Sequence, residues 1–283
     1  MTTWDPAWLD RQYNNRALVP EHPAIFERWA EASALARERM TVELDVPYGD
    51  TPGQTLDVFP AAAEGSPVLV FIHGGWWRAL DKRDHSFVAP AFVTAGAAVV
   101  VPNYDLCPAV GVDTIAMQMV HALVWTWRHA RRFGGDPSRI VVAGHSAGGH
   151  LATMLLSCDW ATQGADLPAD LVPAALSISG LYDLEPVRHI PFLKDDLKLT
   201  PALVRKLSPV RFPRPSGRLV TAVGALESEE FRRHNRLMRE AWGAEAVPHV
   251  EEVADTNHFT VVHALVDAGE RVHHHALDLL GLA

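Results

Sequence analysis

The sequence predicts an α/β fold: a mainly parallel central sheet of about eight strands, an N-terminal antiparallel hairpin, helices on both faces and a small cap. Three observations predict it. Short continuous apolar runs at 68–72 (VLVFI), 97–101 (AAVVV), 140–143 (IVVA), 174–178 (AALSI) and 219–223 (LVTAV) have the composition of strands buried on both faces. Helical patterns fall between them, over 113–132 with Ile115, Met119, Leu123, Val124 and Trp127, and over 229–242 with Phe231, Leu237 and Met238. Finally, 139–150 (RIVVAGHSAGGH) runs a strand into a tight turn at Ser146 and straight out into a helix. Strand and helix alternate, and alternation implies a parallel sheet.

Taken in order, 1–40 is helical in pattern, with Ile25, Trp29, Ala32, Leu35 and Ala36 on one face, and is expected to pack outside the sheet. Residues 41–46 and 54–59 alternate apolar and polar side chains around the turn formers of 47–53 (PYGDTPG), so they are expected to pair as the hairpin. The strands and helices above follow. Proline-punctuated 185–215, with one short helix near 201–207, interrupts the alternation and reads as a cap insertion, either a lid or a long surface connection. A last strand at 247–253 precedes a terminal helix. The 283 residues are accommodated by one domain.

Composition narrows the function. With 48% hydrophobic and 21% charged residues the chain is globular, and a formal charge of −9 without a basic stripe disfavours nucleic acid. Cys107 and Cys158 lack metal or redox spacing and read as free thiols of a reducing compartment. No apolar stretch approaches the ~18 residues of a membrane span, and the first residues do not read as a signal peptide. A cytoplasmic protein acting on a small molecule is expected, with no membrane or nucleic-acid partner and a homodimer left open.

The chemistry centres on Gly144-His145-Ser146-Ala147-Gly148. A serine on a strand-to-helix turn is exposed at the top of the sheet beside a helix N-terminus, and the flanking glycines leave room for the turn. Its oxyanion donors are expected from the glycine turn after 68–72, at Gly74, Gly75 and Trp76, together with Ala147. His73 is expected to orient that turn. Among 15 histidines, His258 occupies the loop after the last strand, where the base belongs. His249 lies within that strand, His263 is expected a helical turn or more inside the final helix, and His273–His275 are expected on that terminal helix facing water. Three consecutive histidines diverge on a helix, so no metal is expected. Glu227, in the loop after 219–223, is expected to be the acid, with Asp183 as the rival.

These motifs resemble the α/β-hydrolase family and, more narrowly, its kynurenine formamidase (arylformamidase) branch, which is related to the hormone-sensitive-lipase-like esterases. The likeness lies in His73-Gly-Gly-Trp-Trp77, Gly144-His-Ser-Ala-Gly-Gly-His150, Gly224-Ala-Leu-Glu-Ser-Glu-Glu-Phe231 and Asn257-His-Phe259, with 46–50 and 179–186 similar as well, and spans the chain from about residue 40. That branch commonly has Asp where this chain has Glu227, one methylene longer. The resemblance implies hydrolysis of N-formyl-L-kynurenine to formate and L-kynurenine without metal or organic cofactor, and a short-chain carboxylesterase is the alternative. Trp76, Trp77, Tyr104 and Phe192 are candidate walls for the aryl group.

Overall fold

Apolar runs and amphipathic segments assemble around one eight-stranded sheet in the computed structural model, which describes residues 4–283. In chain order the elements are helices α1 (Pro6–Tyr13), α2 (Asn15–Leu18) and α3 (His22–Arg39), then strands β1 (Glu43–Pro47), β2 (Thr55–Phe59) and β3 (Ser66–Ile72). Helix α4 (Ala89–Thr94), β4 (Ala98–Pro102), α5 (Val112–His129), β5 (Gly135–His145), α6 (Ala147–Leu156) and β6 (Ala174–Ile178) follow. The chain then forms α7 (Lys194–Leu197), α8 (Pro201–Leu207), β7 (Arg218–Gly224), α9 (Glu229–Ala246), β8 (His249–Val253) and α10 (Arg271–Leu280).

The strand order is β1-β2-β4-β3-β5-β6-β7-β8. β1 and β2 form the antiparallel hairpin, β2 also runs antiparallel to β4, and every later pairing is parallel. Alternate side chains of the inner strands enter two cores. Val68, Val70 and Ile72 of β3 join the core packed by α5, α6 and α9, while Leu69 and Phe71 join that of α3, α4 and α10. Burial on both faces accounts for the unbroken apolar runs.

Two expectations about buried faces are corrected. In α3 the buried stripe is Ile25, Trp29, Ser33 and Ala36, whereas Ala32 is exposed and Leu35 is 42% exposed. Ser33 earns its buried place because its hydroxyl accepts a hydrogen bond from the Phe87 N–H at 3.1 Å. In α10, His273 and His275 are buried and only His274 faces outward, because α10 lies against the sheet: His273 Nδ1 bonds the Leu265 carbonyl and His275 Nε2 meets Glu251 of β8. His263, expected inside the final helix, lies instead in a short 3₁₀ turn (Val261–Leu265) ahead of α10. The helical expectation for 1–40 extends over residues 1–3, which lie outside the described residues.

Among the described residues no helix is long and apolar enough to cross a membrane. The carboxyl ends of β5, β6, β7 and β8 lie side by side, and at that rim an open parallel sheet gathers reactive groups.

Candidate active site

Ser146 sits between β5 and α6 with φ 57° and ψ −117°, a conformation that costs an L-residue about 1–3 kcal/mol. The turn is held on both sides: the Ser146 N–H donates to the Ile178 carbonyl at 2.8 Å, and its own carbonyl accepts from His150 N at 3.0 Å. A Cβ at Gly148 would stand 2.0 Å from the Ile72 carbonyl oxygen, and one at Gly144 2.2 Å from that of Gly148. Both positions therefore exclude any side chain, the steric cause expected from the sequence.

Three strand ends, those of β6, β7 and β8, supply the groups around this serine. His258, after β8, places Nε2 3.1 Å from Ser146 Oγ and Nδ1 2.6 Å from Glu227 Oε2. Glu227 follows β7, and its other oxygen accepts from Ser179 Oγ, at the end of β6, at 2.5 Å and from the Gly224 N–H at 2.8 Å. A carboxylate can only accept from Nδ1–H, so the proton of neutral His258 is on Nδ1 and its Nε2 lone pair faces the serine hydroxyl. Asp183 is not in this line: it accepts the Glu185 N–H at 3.1 Å in a local turn. The longer arm of Glu227 fits because two fixed donors at the ends of β6 and β7 hold one oxygen and leave the other free for the imidazole.

Ser179 and His145 are structural parts of this arrangement that sequence reasoning missed. Ser179 stands at a strand end with φ 51°, and that placement was its only signal. His145 donates from Nε2 to the His258 carbonyl at 2.8 Å and fixes the loop that carries the imidazole. Burial, and then the nearby His258, holds the His145 imidazole well below its ordinary pKa, so it stays neutral. His73 is also buried and lowered by burial; its Nδ1 lies 2.8 Å from the Gly74 carbonyl oxygen, beside the turn it was expected to orient.

The turn after β3 abuts the serine closely enough that a Cβ on Gly74 would lie 3.1 Å from Ser146 Cβ. Among the described residues the N–H groups of 74–77 donate to no other group of the chain, and that of Ala147 opens α6, where no helical carbonyl is available. Positive φ at Gly75 (106°), Trp76 (55°) and Trp77 (56°) winds this turn away from strand geometry.

A cavity of about 350 Å³ opens onto Ser146 and His258. Trp76 and Phe192 line it as expected from the sequence. Trp77 and Tyr104 do not. Trp77 is fully buried edge-on against His150 in the core, because the positive φ values turn successive tryptophans apart. Tyr104 stacks on His73 at 4.2 Å and donates its hydroxyl to the His73 carbonyl at 3.0 Å, bracing the turn from behind. Two wall contributions were not legible: Asn15, Phe26 and Trp29 come from the N-terminal helices, and Asp196 comes from α7, tied there by its ion pair with Arg78.

Away from this cavity, His249, Glu251 and His275 bring their ligand atoms within 4.8 Å of one another. Glu251 there is already paired with Arg271 at 2.9 Å and with His275 at 2.9 Å.

Comparison with known proteins agrees with this geometry. The family model described as BD-FAE matches residues 56–163. A kynurenine formamidase of Danio rerio is 31% identical over 92% of this chain and 91% of its own length, and that of Salmo salar is 28% identical over 97% and 92%. Carboxylesterase NlhH of Mycobacterium tuberculosis is 38% identical, but over only 34% of this chain and 30% of its own. Among solved structures, a Silicibacter protein described as a thioesterase superposes with a TM-score of 0.82 at 28% identity, covering 92% of this chain and 95% of that one. The fold and these relatives make the protein a hydrolase of the formamidase and carboxylesterase kind. Likeness to the fish enzymes holds over nearly the whole of both chains, and on that ground the chain belongs to the kynurenine formamidase family of α/β-hydrolases.

Proposed function

We propose that the protein hydrolyses N-formyl-L-kynurenine to formate and L-kynurenine, with Ser146 as nucleophile, His258 as general base and acid, and Glu227 as the group that orients His258. The observation that carries the chemistry is the unbroken line Ser146 Oγ, His258 Nε2, His258 Nδ1, Glu227 Oε2, at 3.1 and 2.6 Å. His258 takes the hydroxyl proton as Ser146 attacks the formyl carbon. The N–H groups of Ala147 and of the turn at Gly74, Gly75 and Trp76 face the developing oxyanion, each such donor being worth about 2.7–4 kcal/mol in the transition state. His258 then returns the proton to the departing aryl amine, and water releases formate from the formyl-serine by the same exchange.

The fish relatives support this substrate, and it suits the cavity. A formyl group needs almost no acyl pocket, while the aryl ketone needs apolar walls, here Trp76, Phe192, Phe26 and Trp29. The esterase relatives support short-chain ester cleavage by the same groups as the second reading. Side-by-side kinetics decide between them. The expected result is kcat/KM for N-formyl-L-kynurenine above that for p-nitrophenyl acetate; an ester preference of orders of magnitude would overturn the formamidase reading.

A further inference from the structure

Among the polar side chains in the cavity wall that the hydrolytic step does not use, Asn15 and Arg16 stand out by their lack of partners. Asn15 is 4% exposed and lines the cavity, and its amide Nδ2 is buried with no hydrogen-bond partner. Buried donors are nearly always paired, so an orphan at the wall of a substrate cavity marks a place where a ligand oxygen belongs. Its neighbour Arg16 lines the same cavity from an exposed position, with its guanidinium 5.8 Å from the centre of the Phe26 ring. Among the described residues Arg16 has no carboxylate partner. The other arginine of the cavity, Arg78, is already neutralised by Asp196 and donates to the Phe192 carbonyl at 2.9 Å. Among the described residues the cavity thus carries one unneutralised arginine, next in sequence to one unsatisfied amide donor.

From this we infer that Asn15 and Arg16 form a carboxylate-recognising subsite for the leaving-group side of the substrate. A carboxylate suits the pair: one oxygen accepts from a neutral amide while a guanidinium meets the charge. The placement fits as well. Residues 14–16 belong to the N-terminal helices and reach the cavity from outside the sheet, whereas the acyl group must lie against Ser146 and the turn after β3. A substrate group remote from the reacting bond, and charged, is what such a subsite would hold. The proposal rests on the formamidase reading for its natural ligand, the amino-acid end of N-formyl-L-kynurenine, but the pair would favour any aryl substrate carrying a carboxylate there.

Because this contact would be made by a part of the substrate outside the reacting bond, it is expected to be equal in ground and transition states, and its loss should appear in KM with kcat unchanged. The test compares Arg16→Ala and Asn15→Asp with the unaltered protein on two matched pairs. The first is N-formyl-L-kynurenine against 2-formamidoacetophenone, which keeps the formamide and aryl ketone and lacks the amino-acid end. The second is 3-(4-acetoxyphenyl)propanoate against 4-acetoxytoluene, a carboxylate-bearing ester and its neutral counterpart. Each variant is expected to raise KM at least about tenfold for the carboxylate-bearing member and less than about twofold for the neutral one. Asn15→Asp keeps the size of the side chain and adds a repelling charge, so it should be the more damaging, and the Arg16 effect should shrink in high salt.

Equal losses on both members of a pair would mean a merely structural role and overturn the proposal, as would unchanged KM values in both variants. If the unaltered protein cleaves only the esters, the formamidase reading fails while the ester pair still decides the subsite.

Discussion

Replacing Glu227 with Gln should cost far more than the loss of one charge. Ser179 Oγ and Gly224 N both donate to Oε1, so the amide oxygen must occupy that position. The amide NH₂ then stands where Oε2 was, 2.6 Å from His258 Nδ1. Two N–H donors cannot face each other at that distance, so the imidazole moves its proton to Nε2. In that tautomer Nε2 no longer accepts from Ser146, and a loss of about 10⁴ in kcat is expected. At about 1.36 kcal/mol per decade this amounts to roughly 5.4 kcal/mol of barrier. Glu227→Asp withdraws the carboxylate by about 1.5 Å and should cost about 10²-fold. Asp183→Ala, which removes only the acceptor for Glu185 N, should stay within about twofold, because a surface-side turn contact carries no share of the barrier. The assay is kcat on p-nitrophenyl acetate and N-formyl-L-kynurenine, with a thermal melt to show that each variant is folded. A folded Glu227→Gln enzyme within tenfold of the original, or greater damage from Asp183→Ala, would refute the tautomer argument.

Three further outcomes follow from the same structure. Ser146→Ala and His258→Ala should each reduce turnover by about 10⁶-fold, with melting temperatures close to that of the unaltered protein; residual turnover near the original would show that another nucleophile or base operates. Burial lowers His85 and His234 to a pKa of about 3 and His150 to about 4, below the ordinary 6.5 of an unfolded chain. The unfolded state therefore binds more protons below pH 6.5, so their contribution is complete above that value and is lost progressively as pH falls through about 4 to about 3. With three such groups the slope reaches up to about 4 kcal/mol per pH unit, and a denaturant-derived stability that stays flat from pH 6.5 to 5 would contradict it. Lys82, buried between Asp57 at 2.5 Å and Asp45 at 2.6 Å, joins the β1–β2 hairpin to the segment after β3. Lys82→Ala leaves the buried Asp57 without its cationic partner and should destabilise by about 3–5 kcal/mol in urea unfolding, with Lys82→Met/Asp57→Asn recovering part of the loss.

The sheet was legible because its inner strands are buried on both faces and leave continuous apolar runs between amphipathic helices. Ser146, Glu227 and His258 were legible because each follows a strand, and chain order distinguishes His258 from the other histidines. What periodicity cannot carry is which element lies against which. The stripe of α3 announced a buried face, but not that Phe26 and Trp29 would reach the cavity, nor that Ser33 would be buried in place of Ala32 and Leu35. Nor does an aromatic beside a motif reveal its direction: Trp76 and Trp77 diverge because of backbone angles that no side-chain pattern records. His273 and His275 read as exposed because three polar residues in a row look solvated, whereas the packing of α10 gives two of them internal partners. Ser179 was hidden because its importance comes from a strand neighbour 48 residues away.

The central claim is that the turn at Ser146 presents an activated nucleophile, and the most direct measurement is mass spectrometry of the protein after brief treatment with a fluorophosphonate. The expected result is a single phosphonyl adduct, on Ser146, formed rapidly in the unaltered protein and far more slowly in His258→Ala. An unmodified Ser146, or an adduct on Ser177 or Ser179 instead, would contradict it.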